Sequence, residues 1–480
     1  MFNLKQYRQF LTKNERNKVY LRKNSGGGRA IADSKYKTKR KLEKKGVAVP
    51  TLLARFRSWG EVEGYAWEKL EGNFVVKPVS GYGGEGIVIV RRRGKWAGEW
   101  HKMDGNLVNI GDLKRHCQEI LMGKYSLHGS SDSVLLEERV KIHPLFLNLT
   151  KWGTPDIRVI VFNKVPVMAM LRLPTEKSGG KANLQQGAIG LGIDMATGIT
   201  TFGIEGKGKE VERIYDHGKK KRIKVNGIKI PQWREILEMA IRSQEAIGGL
   251  GFLGVDIVLD KGKGPEVLEV NARPGLSIQI CNKAGLRRRM EKVEDVAVRS
   301  IDHAISLSKY LFGEKFAEKV ELKEKVKTIQ PLEIIKMKIP KGFQPVLEKS
   351  SVIRQGKHRV VEVRAKVDTG AYRSSIDRKL AVKLGLLSSE RVLYFRHYKS
   401  SLGKHRDRPV VGVTFWLKDL KVVTAVNVAD RDRLRTKFLL GRKDLEGFLI
   451  SAKSLSPPKA GHLPLKKGRS TNANIKTYEK

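Results

Sequence analysis

Three oxygen-bearing side chains lie close together near residue 260, on two consecutive segments with strand composition. Asp256 belongs to GVDIVLD (254–260), and Glu269 and Asn271 belong to EVLEVNARPG (266–275). Residues two apart in a strand point the same way, so Glu269 and Asn271 share a face. On adjacent strands, two carboxylates and an amide oxygen form an all-oxygen site suited to Mg²⁺ or Mn²⁺. The alternative is that these carboxylates are solvated and bind no metal, as isolated carboxylates at strand ends usually are. A second motif, upstream in the sequence, favours the metal site.

That motif is the glycine-rich segment FVVKPVSGYGGEGIVIV (74–90), which begins and ends with strand-like runs. A Walker loop and a dinucleotide-binding turn both lead into a helix, so neither matches. We predict a hairpin lid whose backbone N–H groups approach phosphate oxygens while Lys77 adds positive charge. An ordinary glycine-rich hairpin has the same composition. The glycines are Gly81, Gly83, Gly84 and Gly86.

A third candidate site is the tripeptide Asp368-Thr369-Gly370, which follows an apolar alternating strand. An apolar run ending in glycine, FLLGR (438–442), comes later in the sequence. Aspartic proteolysis uses two carboxylates that share one proton around a water, so Asp368 supplies half of such a site. The chain would have to form a homodimer through this region. A strand-ending turn and a non-catalytic peptide-binding fold are the alternatives.

The composition excludes several classes of protein. With 480 residues, 40% of them hydrophobic, the chain can form two or three domains with substantial cores. Cys117 and Cys281 are far apart and indicate neither a disulfide framework nor a cysteine-based zinc site. The sequence shows no signal peptide and no apolar run long enough for a membrane span, so we expect a cytoplasmic protein.

The charge leaves a second functional class open. The chain has 95 Lys and Arg against 50 Asp and Glu, a net charge of +45 that attracts polyanions nonspecifically. A nucleic-acid or ribosome-associated binding protein with a degenerate nucleotide site is therefore the alternative, although aromatic residues for base stacking are sparse in the basic runs. Residues 217–230, HGKKKRIKVNGIKI, are predicted to form an exposed hairpin with an Asn-Gly turn, which would equally attract an acidic acceptor.

Changes in composition along the chain predict five segments. Residues 31–315 mix adjacent strands with helices, which indicates an α+β domain, and residues 336–450 are mostly short strands. A basic lead-in (1–30), a charged linker (316–335) and a basic disordered tail (451–480) complete the chain.

The ordered motifs of the first domain resemble the ATP-grasp superfamily, and within it carboxylate-amine ligases similar to the ribosomal-protein glutamate ligases. Besides the two motifs above, the resemblance rests on Asp33-Ser34-Lys35, LLEERV (135–140), PDIRVIVF (155–162) and NLQQG (183–187). Residues 141–154 are an insertion relative to the family. The mostly β domain resembles the retropepsin-like aspartic proteases, a half-barrel fold, and particularly the ATP-dependent zinc protease families, although the chain has no HExxH motif.

The resemblance implies ATP and Mg²⁺ as cofactors, and an amide bond made from a carboxylate acceptor and an amino acid or amine. Acidic peptides and proteins are candidate acceptors. The second domain would trim the product. Asp256, Glu269 and Asn271 would bind the metal. Arg158, Arg172 and Arg273 would face the acceptor or its acyl phosphate. The implied nucleotide contacts are Lys35, Lys77, Lys181 and Asn183 near the phosphates, Glu138 and Val140 at adenine, and Asp156 facing the nucleotide.

Overall fold

The chain divides into two compact units, Met1–Lys323 and Glu324–Lys480. In the residues covered by the structure, no helix is long and apolar enough to cross a membrane. Both cysteines are free and buried. The structure, a computed structural model, describes residues 9–81, 84–126, 129–206, 208–313, 327–347, 351–399, 405–432, 434–445 and 448–451.

Six antiparallel strands form the first sheet of the N-terminal unit: β1 (Leu52–Phe56), β2 (Phe74–Pro78), β3 (Val88–Arg93), β4 (Glu99–Lys102), β5 (Leu107–Asn109) and β6 (Val134–Glu138). Their order is β1-β6-β2-β3-β4-β5. Trp67, Phe74 and Trp100 fill the core on one side of this sheet. Because β2 pairs antiparallel with β3, the glycine segment between them is a hairpin loop.

A second antiparallel sheet has seven strands and is accompanied by a separate two-stranded hairpin. In the sheet, the central strands are buried along their whole length, which explains their continuous apolar runs. The sheet strands are β7 (Asp156–Phe162), β8 (Val165–Leu173), β9 (Ile189–Ile193), β10 (Thr200–Glu205), β11 (Lys209–Val211), β14 (Phe252–Asp260) and β15 (Gly264–Asn271), and the hairpin strands are β12 (Arg213–Asp216) and β13 (Lys221–Lys224). The sheet order is β11-β10-β9-β8-β7-β14-β15.

Helices accompany these sheets, and the α+β character of this unit is confirmed. The longest helix of the described residues is Trp233–Ala246. The helices are α1 (Lys13–Lys18), α2 (Gly26–Ala32), α3 (Lys35–Lys44), α4 (Trp59–Glu63), α5 (Ile110–Leu121), α6 (Pro144–Leu149), α7 (Trp233–Ala246), α8 (Ile278–Cys281), α9 (Leu286–Glu291) and α10 (Ile301–Phe312).

The prediction that residues 1–30 lie outside the core is wrong for their described part. Leu11, Tyr20 and Leu21 are buried. The Asn24 side-chain amide donates to the carbonyls of Phe252 and Ala272, and so joins this segment to the second sheet. The glycine run at 26–28 forms the start of helix α2, where the Ser25 hydroxyl accepts from the Gly28 N–H and caps the first turn.

The C-terminal unit is mostly β, and six of its strands close into a barrel. The ring runs in the order β17-β19-β24-β20-β23-β22, and β22 pairs with β17 again. The strands are β16 (Thr328–Ile329), β17 (Leu332–Lys338), β18 (Val352–Gln355), β19 (His358–Asp368), β20 (Ser375–Asp377), β21 (Val392–Lys399), β22 (His405–Leu417), β23 (Leu420–Ala429), β24 (Phe438–Gly441) and β25 (Leu449–Ile450), with helices α11 (Arg378–Lys383) and α12 (Arg442–Leu445).

This unit also begins earlier than residue 336. Strand β16 and the first four residues of β17 lie inside the predicted linker of residues 316–335, which is therefore too long at its C-terminal end. The alternating burial of LEIIKMK is a strand signal, but the lysines and Pro331 around it masked that signal in the sequence. Residues 314–326 and the predicted tail from 452 onward lie outside the described residues.

Candidate functional site

Strand β14 carries Asp256 between two polar neighbours. Arg158 lies opposite it on β7, and Glu269 lies opposite it on β15. Directly opposed residues of antiparallel strands project to the same face, so the three side chains form a row across the sheet. The Asn271 amide nitrogen donates to Asp256 Oδ2 at 3.1 Å. The structure thus brings together the three residues that were predicted as metal ligands.

The Asp256 carboxylate is already paired with guanidinium groups. Arg158 Nε donates to Oδ1 at 2.6 Å and Arg158 Nη2 donates to Oδ2 at 2.5 Å. Arg172 Nη2 lies 2.9 Å from Oδ2. Burial alone would raise the pKa of Asp256, but the charges of Arg158 and Arg172 outweigh it and lower the pKa to about 2. This carboxyl group is therefore ionised at neutral pH.

A second buried pair lies beside the first. Arg172, opposite Asp156 on β8, donates from Nε and Nη2 to the Asp156 carboxylate at 2.5 and 2.6 Å. Burial raises the pKa of Asp156 to about 6, and the negative charge of Asp256 acts in the same direction. The positive charge of Arg172 lowers this pKa but does not outweigh burial. Arg172 bridges both acids, which raises its own pKa although burial opposes this. These arginines face carboxylates of the chain itself.

The oxygen donors fit a divalent cation. The Glu269 carboxylate is half-buried and makes no hydrogen bond or ion pair with any residue of the described ranges. Asp256 Oδ1 accepts one hydrogen bond, whereas Oδ2 accepts from Arg158, Arg172 and Asn271. A hard cation prefers such carboxylate and amide oxygens. To bind here, it would compete with Arg158 for Asp256.

The predicted phosphate-binding Lys77 belongs to a buried triad. Glu137 on β6 is only 2% exposed. Its Oε2 lies 2.7 Å from Lys77 Nζ, and its Oε1 lies 3.1 Å from Lys39 Nζ. Burial would raise the pKa of Glu137, but the two ammonium groups lower it. Burial lowers the pKa of Lys39 despite its pairing with Glu137.

Lys39 and Glu137 were not among the predicted site residues, although the sequence carries a signal for both. Lys39 follows Lys35 by four residues, which places both on one side of helix α3, and its neighbours Thr38 and Leu42 are buried. Glu137 is a charged residue inside a strand that is otherwise apolar and buried. A buried acid in such a strand requires a basic partner.

Lys35 connects the glycine loop with the carboxylate row. Its Nζ donates to the Gly81 carbonyl at 2.8 Å. Burial lowers the pKa of Lys35. The negative charge of Glu269 opposes this shift, and the positive charge of Lys77 lowers the pKa of Lys35 further. Helix α3, which begins at Lys35, also contacts strand β15, which carries Glu269. The base of the loop and the carboxylate row face one common region.

The glycine loop is held at both ends. Gly81 forms an antiparallel bridge with Ser126, and the Gly86 carbonyl lies 2.9 Å from His116 Nε2. A Cβ on Gly84 would lie 3.6 Å from Lys181 side-chain carbons, so the loop lies against this lysine. Gly84 and Gly86 have φ of +77° and +69°, which glycine adopts without strain. Gly83 lies outside the described residues.

The residues predicted at adenine lie where β6 leaves the first sheet. The Glu138 carboxylate is 2.5 Å from Nζ of Lys263, a residue of the turn between β14 and β15. Val140 is buried, and the next residue, Lys141, donates its backbone N–H to Asp260 Oδ2 at 2.6 Å. This segment thus connects the two sheets. Lys263 and Asp260 were missed, because no local pattern relates them to residue 138.

The remaining predicted residues occupy separate positions. The Asn183 side-chain oxygen Oδ1 accepts from the Gln185 backbone N–H at 3.0 Å and caps a short 3-10 helix, Leu184–Gln186. Arg273 Nη1 donates to both oxygens of Asp33, at 2.9 and 3.1 Å, in an exposed ion pair. Arg273 therefore lies next to the start of helix α3, apart from the buried Arg158 and Arg172 pairs.

In the C-terminal unit, Asp368 ends β19 opposite Gly441 in the parallel strand β24. Its Oδ1 accepts from the backbone N–H groups of Gly370 and Ala371 at 2.9 and 3.1 Å. A Cβ on Gly441 would lie 2.4 Å from the Arg373 carbonyl carbon, so only glycine fits against this loop. The tripeptide and FLLGR, which are far apart in sequence, are neighbours in the barrel. Thr369 and Gly370 are exposed.

Comparisons with known proteins give one family match. The model of the family described as sugar-transfer associated ATP-grasp matches residues 14–295. A search of curated proteins gives no match.

The chain is also similar to several solved structures, all at low identity. The ATP-grasp ligase PsnB complexed with minimal precursor is 17% identical, over 59% of this chain and 63% of that chain, with a TM-score of 0.29. The L-amino acid ligase from Bacillus licheniformis is 14% identical, over 53% and 43%, with a TM-score of 0.30. D-alanine–D-alanine ligase from Bacillus anthracis is 14% identical, over 57% and 69%, with a TM-score of 0.30. The chain thus spans less than two thirds of the first two proteins.

Proposed function

Since the chain belongs to the sugar-transfer associated ATP-grasp family, we propose that its N-terminal unit is a carboxylate-amine ligase that forms an amide bond through an acyl phosphate and releases ADP. ATP-grasp ligases use ATP and Mg²⁺. The observation that carries the proposal is the position of Lys35: its Nζ donates to the Gly81 carbonyl at the base of the glycine loop, and its helix, α3, contacts strand β15, which carries Glu269. A phosphate-binding loop and a metal-binding carboxylate are needed in one place for phosphoryl transfer.

Asp256, Glu269 and Asn271 would hold the metal through their side-chain oxygens. Bound Mg²⁺ would neutralise phosphate charge during transfer. Lys35, Lys77 and Lys181 would bind phosphate oxygens, and Glu137 would hold Lys77 in place through its 2.7 Å ion pair. Glu138 and Val140 would border the adenine. Closure of the glycine loop would exclude water from the acyl phosphate.

The proposed ligation has two steps, formation of an acyl phosphate and its reaction with the amine. An oxygen of the acceptor carboxylate attacks the γ-phosphorus of ATP, the bond to the β,γ-bridging oxygen breaks, and ADP leaves. The amine nitrogen then attacks the acyl carbon, inorganic phosphate leaves, and the amine loses a proton. Arg158 and Arg172 would stabilise the negative charge that develops on the acyl phosphate. Asp156 would keep Arg172 oriented.

The substrate class proposed is glutamate-ligase-like, with an acidic peptide or protein as acceptor. Purified protein should be incubated with ATP, Mg²⁺, single amino acids and acidic peptides, and the products identified by mass spectrometry. We expect one amide bond for each ADP and phosphate. Stoichiometric AMP would contradict the mechanism. Sequence-selective nucleic-acid binding without any ATP turnover would favour the binding-protein alternative.

The C-terminal barrel supports a second proposal, an aspartic peptidase half-site completed by another copy of the chain. The supporting observation is that Asp368 and Gly441 are opposed in parallel strands while the Thr369-Gly370 turn is exposed. Asp368→Asn should remove peptide hydrolysis and leave both ligation and dimerisation unchanged. A protein that is monomeric by light scattering in every assay buffer, or an Asn variant that still cleaves, would leave a peptide-binding barrel as the better interpretation.

A further inference from the structure

The hairpin of β12 and β13 has a strongly basic face. Arg213 pairs with Lys224 and Tyr215 pairs with Arg222 across the hairpin, so these four side chains lie on one side of it. Ile214 and Ile223 lie on the other side, and Ile214 is buried against the unit. The turn, residues 217–220, adds the exposed Lys219 and Lys220, and Lys221 at the start of β13 is also exposed. The chain reverses at these lysines and not at the predicted Asn226-Gly227.

The cations of this face are not neutralised by the protein. Arg213, Arg222 and Lys224 are exposed and form no ion pair within the ranges that the structure describes. Arg213 donates to the Arg222 carbonyl at 3.1 Å, which fixes its position without cancelling its charge. Of the two nearby acids, Asp216 accepts from the Lys219 backbone N–H at 2.9 Å, and Glu212 is exposed without an ion pair in those ranges.

The hairpin also has an open strand edge. Helix α6 lies against β12, where the His217 backbone N–H donates to the Asn148 carbonyl at 2.7 Å. Among the described residues, β13 pairs with no strand other than β12. An open edge can accept an extended peptide as an added strand, whereas a nucleic acid has no peptide backbone to continue the ladder. Acidic side chains at alternate positions of the added strand would lie about 5 Å from Arg222 and Lys224.

The hairpin is connected with the candidate site through the insertion at 141–154. Helix α6, which contacts β12, belongs to this insertion. The insertion continues to Gly153, where a Cβ would lie 2.1 Å from the Gly180 carbonyl oxygen, one residue before Lys181. Lys181 in turn lies against Gly84 of the glycine loop. A peptide bound to the hairpin would therefore lie next to the insertion at 141–154, which packs against the segment that contacts the glycine loop.

We propose that the β13 edge, with the basic face of Arg213, Arg222 and Lys224, docks an extended acidic peptide segment of the acceptor. The inference rests on the proposed ligase function in one respect, because only that function identifies the docked peptide as the acceptor. A single exposed aromatic residue, Tyr215, whose ring already contacts His217 edge-on with the centroids 5.0 Å apart, favours a peptide over a nucleic acid, which needs several stacking surfaces.

The test compares two charge-matched variants of the full chain. Arg213→Gln/Arg222→Gln/Lys224→Gln removes three charges from the hairpin, and Lys41→Gln/Lys44→Gln/Lys45→Gln removes three exposed charges elsewhere. Fluorescence anisotropy measures binding of a labelled oligoglutamate peptide and of a single-stranded RNA oligonucleotide of equal charge. We expect the hairpin variant to bind oligoglutamate about tenfold more weakly or worse, with a shallower salt dependence, and the control variant to change about twofold or less.

Equal losses in both variants would overturn the inference, as would a hairpin-dependent preference for RNA. Retained Mg·ATP affinity verifies that each variant is folded, and Lys219→Gln/Lys220→Gln/Lys221→Gln is a second variant on the same hairpin. Hairpin-dependent peptide binding without ligation would contradict the ligase function alone. Ligation of acidic peptides that is equally efficient in the hairpin variant would contradict the docking surface alone.

Discussion

Arg158 and Asp256 are opposed on neighbouring antiparallel strands, and Arg158 Nε and Nη2 donate to the two carboxylate oxygens at 2.6 and 2.5 Å. The carboxylate proposed to bind Mg²⁺ is thus held by a guanidinium. Removing this competitor should strengthen metal binding in the absence of nucleotide, since Arg172 and Asn271 still orient Asp256. Arg158 therefore provides a test that does not depend on turnover.

For Arg158→Met, we expect Mn²⁺ to bind the nucleotide-free protein about tenfold more tightly than in wild type, measured by the proton relaxation of water. The reason is that the metal no longer displaces an ion pair. Ligation should fall in the same variant, because the positive charge near the acyl phosphate is lost. Weaker Mn²⁺ binding in Arg158→Met would mean that Arg158 orients Asp256 for the metal and does not compete with it.

Glu137→Gln should destabilise the N-terminal unit by about 3–5 kcal/mol. Lys39 and Lys77 are 5% and 8% exposed, and without Glu137 their charges would be buried and uncompensated. Urea unfolding followed by tryptophan fluorescence measures the change. Glu63→Gln is the control, because Glu63 pairs with Lys114 at the surface and should contribute about 1 kcal/mol or less. A loss no larger than that of the control would show that the triad is not needed for folding.

Gly86→Ala should destabilise the unit more than Gly105→Ala. Both glycines have positive φ, +69° and +88°, so both substitutions cost about 1–2 kcal/mol of backbone strain. Only at Gly86 would the new Cβ also meet a side chain, the Tyr125 ring at 2.7 Å, whereas nothing lies within 4 Å at Gly105. We expect about 1–3 kcal/mol of additional loss in urea unfolding. Equal losses would mean that Tyr125 moves aside freely.

The stability contributed by Asp156 should decrease as the pH rises from about 4 to about 6. Its pKa in the folded protein is about 6, above the unfolded value near 4, so the folded state binds more protons in this interval. The unfolding free energy of wild type relative to Asp156→Asn should fall through this window and stay constant above it. A relative stability that rises over the same interval would show that Arg172 lowers the Asp156 pKa instead.

Local patterns were sufficient to predict the strands of both sheets around the site. The consecutive strand-like segments 254–260 and 266–275 predicted that Glu269 and Asn271 would lie near Asp256, and the structure places Glu269 directly opposite Asp256. The glycine spacing likewise predicted a hairpin between β2 and β3. Period-two burial and turn chemistry act over a few residues, so they are visible in one sequence.

Pairings between distant segments could not be predicted in this way. The bond from Glu138 to Lys263 and the triad of Lys39, Lys77 and Glu137 depend on which strands become neighbours. The pairing of Arg158 with Asp256 was also missed, since the resemblance assigned the arginine to a substrate. Buried charges find partners through tertiary packing, which residue spacing alone does not encode.

The Mg²⁺ dependence of ATP affinity, measured by isothermal titration calorimetry, tests the proposed site most directly, because it needs no acceptor. Wild type should bind ATP at least about tenfold more tightly with Mg²⁺ than with a chelator. Glu269→Ala should lose this difference, and Glu245→Ala, which removes an exposed carboxylate from helix α7, should retain it. An unchanged Mg²⁺ effect in Glu269→Ala, or no Mg²⁺ effect in wild type, would contradict a nucleotide-metal site at this row of carboxylates.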